Sequence, residues 1–172
     1  GPAGYTAAQE LSKNGYSVDI YDKEDRLGGA IYTGIPEYRM SKVFLDKVFA
    51  SMKEDKNITF HFNTKIDCER FEGLRKNYDK VLVATGAQIE NTYGFEPGNG
   101  LYAGLTLLYD LNIRGNHEYY QKYKKAMVWG GGNVAMDCAR SLVRIIDDVS
   151  VVYRRSEEEI TANKSEIRDA RN

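Results

Sequence analysis

Residues 126–156, AMVWGGGNVAMDCARSLVRIIDDVSVVYRRS, carry the pattern with the clearest chemical consequence. A short apolar run at 126–129 leads into Gly130-Gly131-Gly132-Asn133-Val134-Ala135, which fits G-x-G-x-x-A. Val134, Ala135, Cys138, Ala139, Leu142, Val143 and Ile146 then recur at helical spacing, and 149–153 is a second apolar run. Strand, glycine turn, helix and strand in that order form the setting in which such glycines bind a dinucleotide. Gly130 permits a tight turn, Gly132 lets the backbone approach a pyrophosphate, and Ala135 keeps the helix close to the strand. Free N–H groups at the helix start face the anion.

The end of the second strand selects the coenzyme. An acid there suits the ribose hydroxyls of NAD, and a base suits the 2′-phosphate of NADP. Here the strand ends Tyr153-Arg154-Arg155, with Glu157, Glu158 and Glu159 only further on. Two guanidiniums offer forked, charge-assisted contacts to phosphate. The ending predicts NADP.

A second fingerprint opens the chain. Gly1-Pro2-Ala3-Gly4 followed by Tyr5–Leu11 reads as the close of another G-x-G-x-x-G and its helix, stopped at Asn14-Gly15. Val18-Asp19-Ile20-Tyr21-Asp22 is then a strand ending in an acid, where a ribose-binding carboxylate belongs. The two units therefore end oppositely, acidic at Asp22 and basic at Arg154. The strand that precedes such a glycine turn is central in a doubly wound sheet. Its absence before Gly1 makes the sequence read as cut from a longer chain, with a further loss after the polar stretch 156–172.

Several elements must position these motifs. Strands are predicted at 18–22, 58–62, 81–84, 126–129 and 149–153, the last two parallel and joined by a helix over 133–146. Ser41 caps a helix whose Val43, Phe44, Leu45, Val48, Phe49 and Met52 are expected in the core. Gly, Pro and Asn cluster at 91–104, which sets domains at 1–97 and 98–172. The fold class is α/β, with two Rossmann-like dinucleotide-binding units, FAD-type then NADP-type, both incomplete at the chain ends.

Composition excludes other classes. The chain has 172 residues, 42% of them hydrophobic, and a formal net charge of −1, so no bulk positive charge recruits nucleic acid. No apolar run approaches the about 18 residues of a membrane span. Cys68 and Cys138 form no C-x-x-C, which argues against a redox-active disulfide, a thioredoxin reductase-type site or iron–sulfur ligation in this stretch. Their isolation suits a reducing, cytoplasmic setting. His61 and His117 are isolated and make no metal site.

Taken in order, GPAG, Asp22, RLGG, GIPEYRM, NT, YDKVLVATGA, VWGGGNVAMDCARS and VYRRSEEEITA resemble the glutamate synthase small-subunit family of FAD/NADPH oxidoreductases. The same module occurs in dihydropyrimidine dehydrogenase and in ferredoxin:NADP oxidoreductase subunits. The resemblance implies that Gly1, Pro2, Ala3 and Gly4 meet the FAD pyrophosphate and Asp22 its ribose. It implies Gly28, Gly29 and Arg39 along the flavin, with Ile66 nearby. Gly131, Gly132, Asn133 and Val134 are implied at the NADPH pyrophosphate, and Arg154 and Arg155 at its 2′-phosphate. Hydride would pass from nicotinamide to flavin with no catalytic side chain, and on to iron–sulfur clusters or a partner subunit outside this stretch. The other reading is a non-catalytic NADP-binding scaffold, separated from the first by the absence of flavin. Asp22 stands where the family usually has glutamate, and Thr161 where it has proline or arginine, so the nucleotide contact at Thr161 is not carried over. The linker also lacks the family's I-P-G.

Overall fold

The computed structural model describes residues 1–171 and divides into two compact units. The first is Gly1–Tyr32 with Met40–Gln88, and the second is Thr33–Arg39 with Ile89–Asn172. The chain thus gives the seven residues Thr33–Arg39, which hold all of GIPEYRM but its last residue, to the second unit and returns to the first at Met40.

In the first unit, α1 (Pro2–Lys13) leads to β1 (Val18–Tyr21). Then come α2 (Ala30–Thr33), which runs one residue past the unit's edge, α3 (Lys42–Lys53), β2 (Ile58–His61) and α4 (Cys68–Asn77). Gly1 caps α1 and Pro2 stands at its first position, where a missing N–H costs nothing and φ is already helical. β1 and β2 are parallel, with Val18 opposite Ile58 and Tyr21 opposite His61. Ser41 caps α3, its hydroxyl accepting from the Phe44 N–H as its type predicts. Ala8, Leu27, Leu45, Phe49, Met52 and Ile58 are buried.

The second unit contains α5 (Gly104–Tyr109), a π-turn at Asp110–Arg114, α6 (His117–Gln121), β3 (Lys125–Trp129) and α7 (Asn133–Leu142). β4 (Asp148–Val152), a 3₁₀ turn at Glu157–Glu159 and α8 (Lys164–Arg171) complete it. β3 and β4 pair in parallel from Lys125 opposite Asp148 to Trp129 opposite Val152, joined through α7. Side chains alternate across a strand. Ala126 and Val128 accordingly pack inward on Leu107, Leu108, Leu111, Cys138, Leu142 and Ile146, while Met127 and Trp129 face outward.

Three expectations are corrected. Residues 81–84 form no strand among the described residues, and Leu82 is 64% exposed. An apolar run becomes a strand only when a neighbour takes its backbone hydrogen bonds, and no described strand pairs with it. The α3 stripe is half core: Leu45, Phe49 and Met52 are buried, but Val43, Phe44 and Val48 are exposed. Three buried positions already complete the inner stripe of a three-turn helix, so the rest turn away. Finally, α7 stops at Leu142 rather than at 146, and Val143 is exposed, although Ile146 is buried in the turn that follows. None of the described helices is long and apolar enough to cross a membrane.

Candidate functional site

The glycine turn between β3 and α7 is shaped by three close approaches. Gly130 has φ of 148°, a region that favours glycine, and a Cβ there would stand 3.3 Å from the Ala135 Cβ. This is the close strand–helix contact that G-x-G-x-x-A predicts. Gly131 is buried beneath Tyr153, whose ring carbons would lie 2.8 Å from an added Cβ. Gly132 caps α7, and a Cβ on it would meet nothing nearer than the Thr161 hydroxyl at 3.9 Å. One side of the turn is closed and the other is open beside the α7 N-terminus. The first N–H groups of a helix lack intrahelical partners and form a positive terminus. The open side therefore fits a diphosphate backed by apolar packing.

A segment that the sequence did not assign braces the turn through the Gly131 carbonyl. The Thr161 hydroxyl donates to the Gly131 carbonyl at 3.2 Å, and the Ala162 N–H donates to the same oxygen at 2.9 Å. The Asn163 N–H donates to the Asn133 side-chain oxygen at 2.8 Å. Ala162 is buried against Ala135 and Met136. At the tip of β4, Arg154 and Arg155 are exposed, and Arg155 lies 3.9 Å from Glu159. Arg154 has no ion-pair partner among the described residues. Val134 is exposed at the start of α7.

Behind this turn lies a charge-balanced cluster. Arg39 pairs with Asp137 at 2.6 Å and with Glu166 at 2.9 Å, while Arg140 pairs with Glu166 at 2.8 Å. Asp137 is 5% exposed and Glu166 7%. The Tyr38 hydroxyl donates to the Asp137 carbonyl at 3.3 Å, and its ring sits under the Arg140 and Arg144 guanidiniums. Burial pushes the Asp137 carboxyl above its ordinary range, with nearby Glu166 adding to the rise and Arg39 and Arg140 opposing it. Its Oδ1 is buried without a hydrogen bond. Arg39, expected beside a flavin, thus has its guanidinium engaged within the second unit. Sequence gave little warning of Asp137 or Glu166, beyond an acid lying next to the apolar stripe of α7.

In the first unit, the start of α1 meets the paired glycines. A Cβ on Gly29, where φ is 51°, would stand 2.6 Å from the Gly1 Cα. Gly28 has φ of 120°, and its missing Cβ makes way for Tyr32 and Phe49. The Asp22 carboxylate reaches within 3.9 Å of the Gly1 nitrogen and accepts from the Glu24 N–H at 3.0 Å. Pro2, Ala3 and Gly4 form the first turn of α1, with Gly4 facing Ala84. Ile66 lines a separate open cleft of about 600 Å³ with Tyr21, Thr64, Arg70 and Tyr78. His61 lies 2.7 Å from Asp19 and stacks on Tyr21.

Two parallel strand pairs, one of them joined through a glycine turn and helix, define an α/β protein. The chain belongs to the pyridine nucleotide-disulphide oxidoreductase family, an FAD- and NADP-using class, and matches it over residues 1–171. It is 36% identical to the NADP(+)-dependent formate dehydrogenase subunit beta of Moorella thermoacetica, over 99% of this chain and 24% of that protein. It is 32% identical to the glutamate synthase [NADPH] small chain of Azospirillum brasilense, over 99% of this chain and 38% of that one. The chain therefore spans well under half the length of these curated relatives. Mycobacterium tuberculosis FprA in complex with NADPH shares the fold at a TM-score of 0.82, with 23% identity, over 98% of this chain and 45% of that one. The resemblance to glutamate synthase small subunits holds. The family's name does not bring a redox-active disulfide here, since Cys68 is exposed, Cys138 is buried and both are free.

Proposed function

We propose that this chain is the coenzyme-handling part of an NADPH-dependent flavoprotein oxidoreductase of glutamate synthase small-subunit type. It would comprise two Rossmann-like units, the first for FAD and the second for NADPH. One observation carries the reading: β3, the glycine turn, α7 and β4 form a parallel unit whose turn is open at Gly132 and whose far strand ends in Arg154-Arg155.

In this reading, Gly131, Gly132, Asn133 and Val134 border the NADPH pyrophosphate through backbone at the start of α7. Arg154 and Arg155 take the 2′-phosphate through forked guanidinium contacts. Gly1, Pro2, Ala3 and Gly4 present the α1 N-terminus to the FAD pyrophosphate, with Asp22 on its ribose. Gly28 and Gly29, packed closely on Tyr32, Phe49 and Gly1, present their backbone along the flavin, with Ile66 nearby. Arg39 holds the Thr33–Arg39 stretch in place from within the second unit. Bound together, the coenzymes supply the redox chemistry, hydride leaving the nicotinamide for the flavin. The residues bind and orient, so no side chain is assigned acid–base work. Electrons would continue to iron–sulfur centres or a partner subunit, as the names of the formate dehydrogenase subunit beta and the glutamate synthase small chain suggest. The two unpaired cysteines support a cytoplasmic setting.

The test is an absorbance spectrum of the intact protein. The reading expects a bound-flavin band that bleaches on anaerobic addition of NADPH. NADPH binding without any flavin band would favour the non-catalytic scaffold instead.

A further inference from the structure

We infer that Thr161 is a positioning residue for the coenzyme pyrophosphate, acting through the Gly131–Gly132 peptide; the inference rests on the NADPH reading of this turn. A trans peptide holds its C=O and the following N–H in one plane, pointing opposite ways. Fixing the Gly131 carbonyl therefore fixes the direction of the Gly132 N–H. That carbonyl receives two donors from consecutive residues, the Thr161 hydroxyl at 3.2 Å and the Ala162 N–H at 2.9 Å. Both donors belong to the 161–163 strap, so the Gly132 N–H, opposed to that carbonyl across the peptide, points away from the strap.

The restraint matters because this turn is three glycines long. Without Cβ atoms, such peptides rotate readily, and a flipped Gly131–Gly132 peptide would present an oxygen to the diphosphate instead of a donor. Tyr153 packs over Gly131 and limits where the turn can sit, but a ring face supplies no polar group that selects one peptide orientation. The 161–163 strap supplies it. Its third residue binds the Asn133 side chain, and it continues into α8, which Glu166 ties to Arg39 and Arg140.

The strap also tells which ligands should respond. NADPH and NADH both carry the pyrophosphate, whereas 2′-AMP carries only the 2′-phosphate and adenosine. Thr161→Val keeps the shape and removes the donor; Thr161→Ser restores it. In the intact protein, Thr161→Val should weaken NADPH and NADH by the same factor, about two- to tenfold for one neutral hydrogen bond. It should leave 2′-AMP affinity and the NADPH/NADH ratio unchanged, raise KM for NADPH with little change in kcat, and be reversed by Thr161→Ser. Unchanged NADPH affinity in Thr161→Val overturns the inference. So does an equal loss of 2′-AMP, or failure of serine to restore binding, since either marks Thr161 as packing only. If the unsubstituted protein binds neither dinucleotide, the NADPH reading itself falls, and that result is visible before any variant is made.

Discussion

Gly131 lies directly beneath the Tyr153 ring, so close that a methyl group on Gly131 would stand 2.8 Å from two ring carbons. The contact joins the glycine turn to the residue that follows β4, and so sets the turn relative to the arginines at 154 and 155. Gly131→Ala should displace the ring and cost about 1–3 kcal/mol of stability, as overpacking usually does. Thermal unfolding of Gly131→Ala alone and combined with Tyr153→Ala checks this. The second change should recover part of the loss, and a double variant worse than the sum of the two would contradict the clash.

Coenzyme choice should sit at the tip of β4. Losing a hydrogen bond to a charged group costs roughly 1.5–3 kcal/mol, about ten- to a hundredfold in affinity. Both arginines are exposed, so solvent screening moves the effect toward the lower figure. Arg154→Ala should weaken NADPH more than Arg155→Ala does, because Arg155 already faces Glu159 at 3.9 Å. NADH should be almost untouched, and the NADPH loss should shrink as salt rises. Titration of both coenzymes into each variant of the intact protein decides. Equal losses of NADH and NADPH would make the arginines structural.

The Arg39–Asp137 pair should leave a signature in the pH dependence of stability. Burial raises the Asp137 pKa above its unfolded value near 3.8. Stability from this group is then complete below 3.8 and is lost as pH rises through the folded value. Asn at this position does not titrate. The stability of the unsubstituted protein minus that of Asp137→Asn should therefore fall as pH rises from the acid side. Urea unfolding across that range measures it, and a difference that instead grows with pH would mean that Arg39 outweighs burial.

The two thiols should react very differently. Cys138 is 3% exposed, and burial pushes its pKa up to about 12, with Asp137 and Glu90 adding to the rise. The thiolate is the reactive form, so Cys138 should resist alkylation in the folded state. Cys68, exposed at the start of α4, should be labelled. Mass spectrometry after iodoacetamide treatment should find Cys68 modified natively and both modified only in denaturant. Rapid native labelling of Cys138 would show that the second core opens.

The spacing of glycines and apolar residues was enough to place β1, β2, β3 and β4 within a residue or so and to start α7 at Asn133. These features are local: a G-x-G-x-x-A turn must be followed by a helix whose first side packs on the strand, and Gly130 against Ala135 is that contact. The basic end of β4 was equally plain, because Arg154 and Arg155 follow the strand in sequence. What depends on distant partners was not legible. Residues 81–84 have strand composition, yet pairing is decided by a neighbour and not by the run itself. Val43, Phe44 and Val143 are apolar at nearly helical spacing, yet which of them is covered depends on what packs there. Above all, Arg39 stands far in sequence from Asp137 and Glu166, and Thr161 far from Gly131, so only the tertiary structure could bring these groups within hydrogen-bond reach. The sequence by itself determined the two glycine-rich helix starts and the charge at the end of each following strand. The folded chain decided which backbone oxygen is held and which buried acid balances which arginine, because those pairings depend on packing between segments that no local periodicity records.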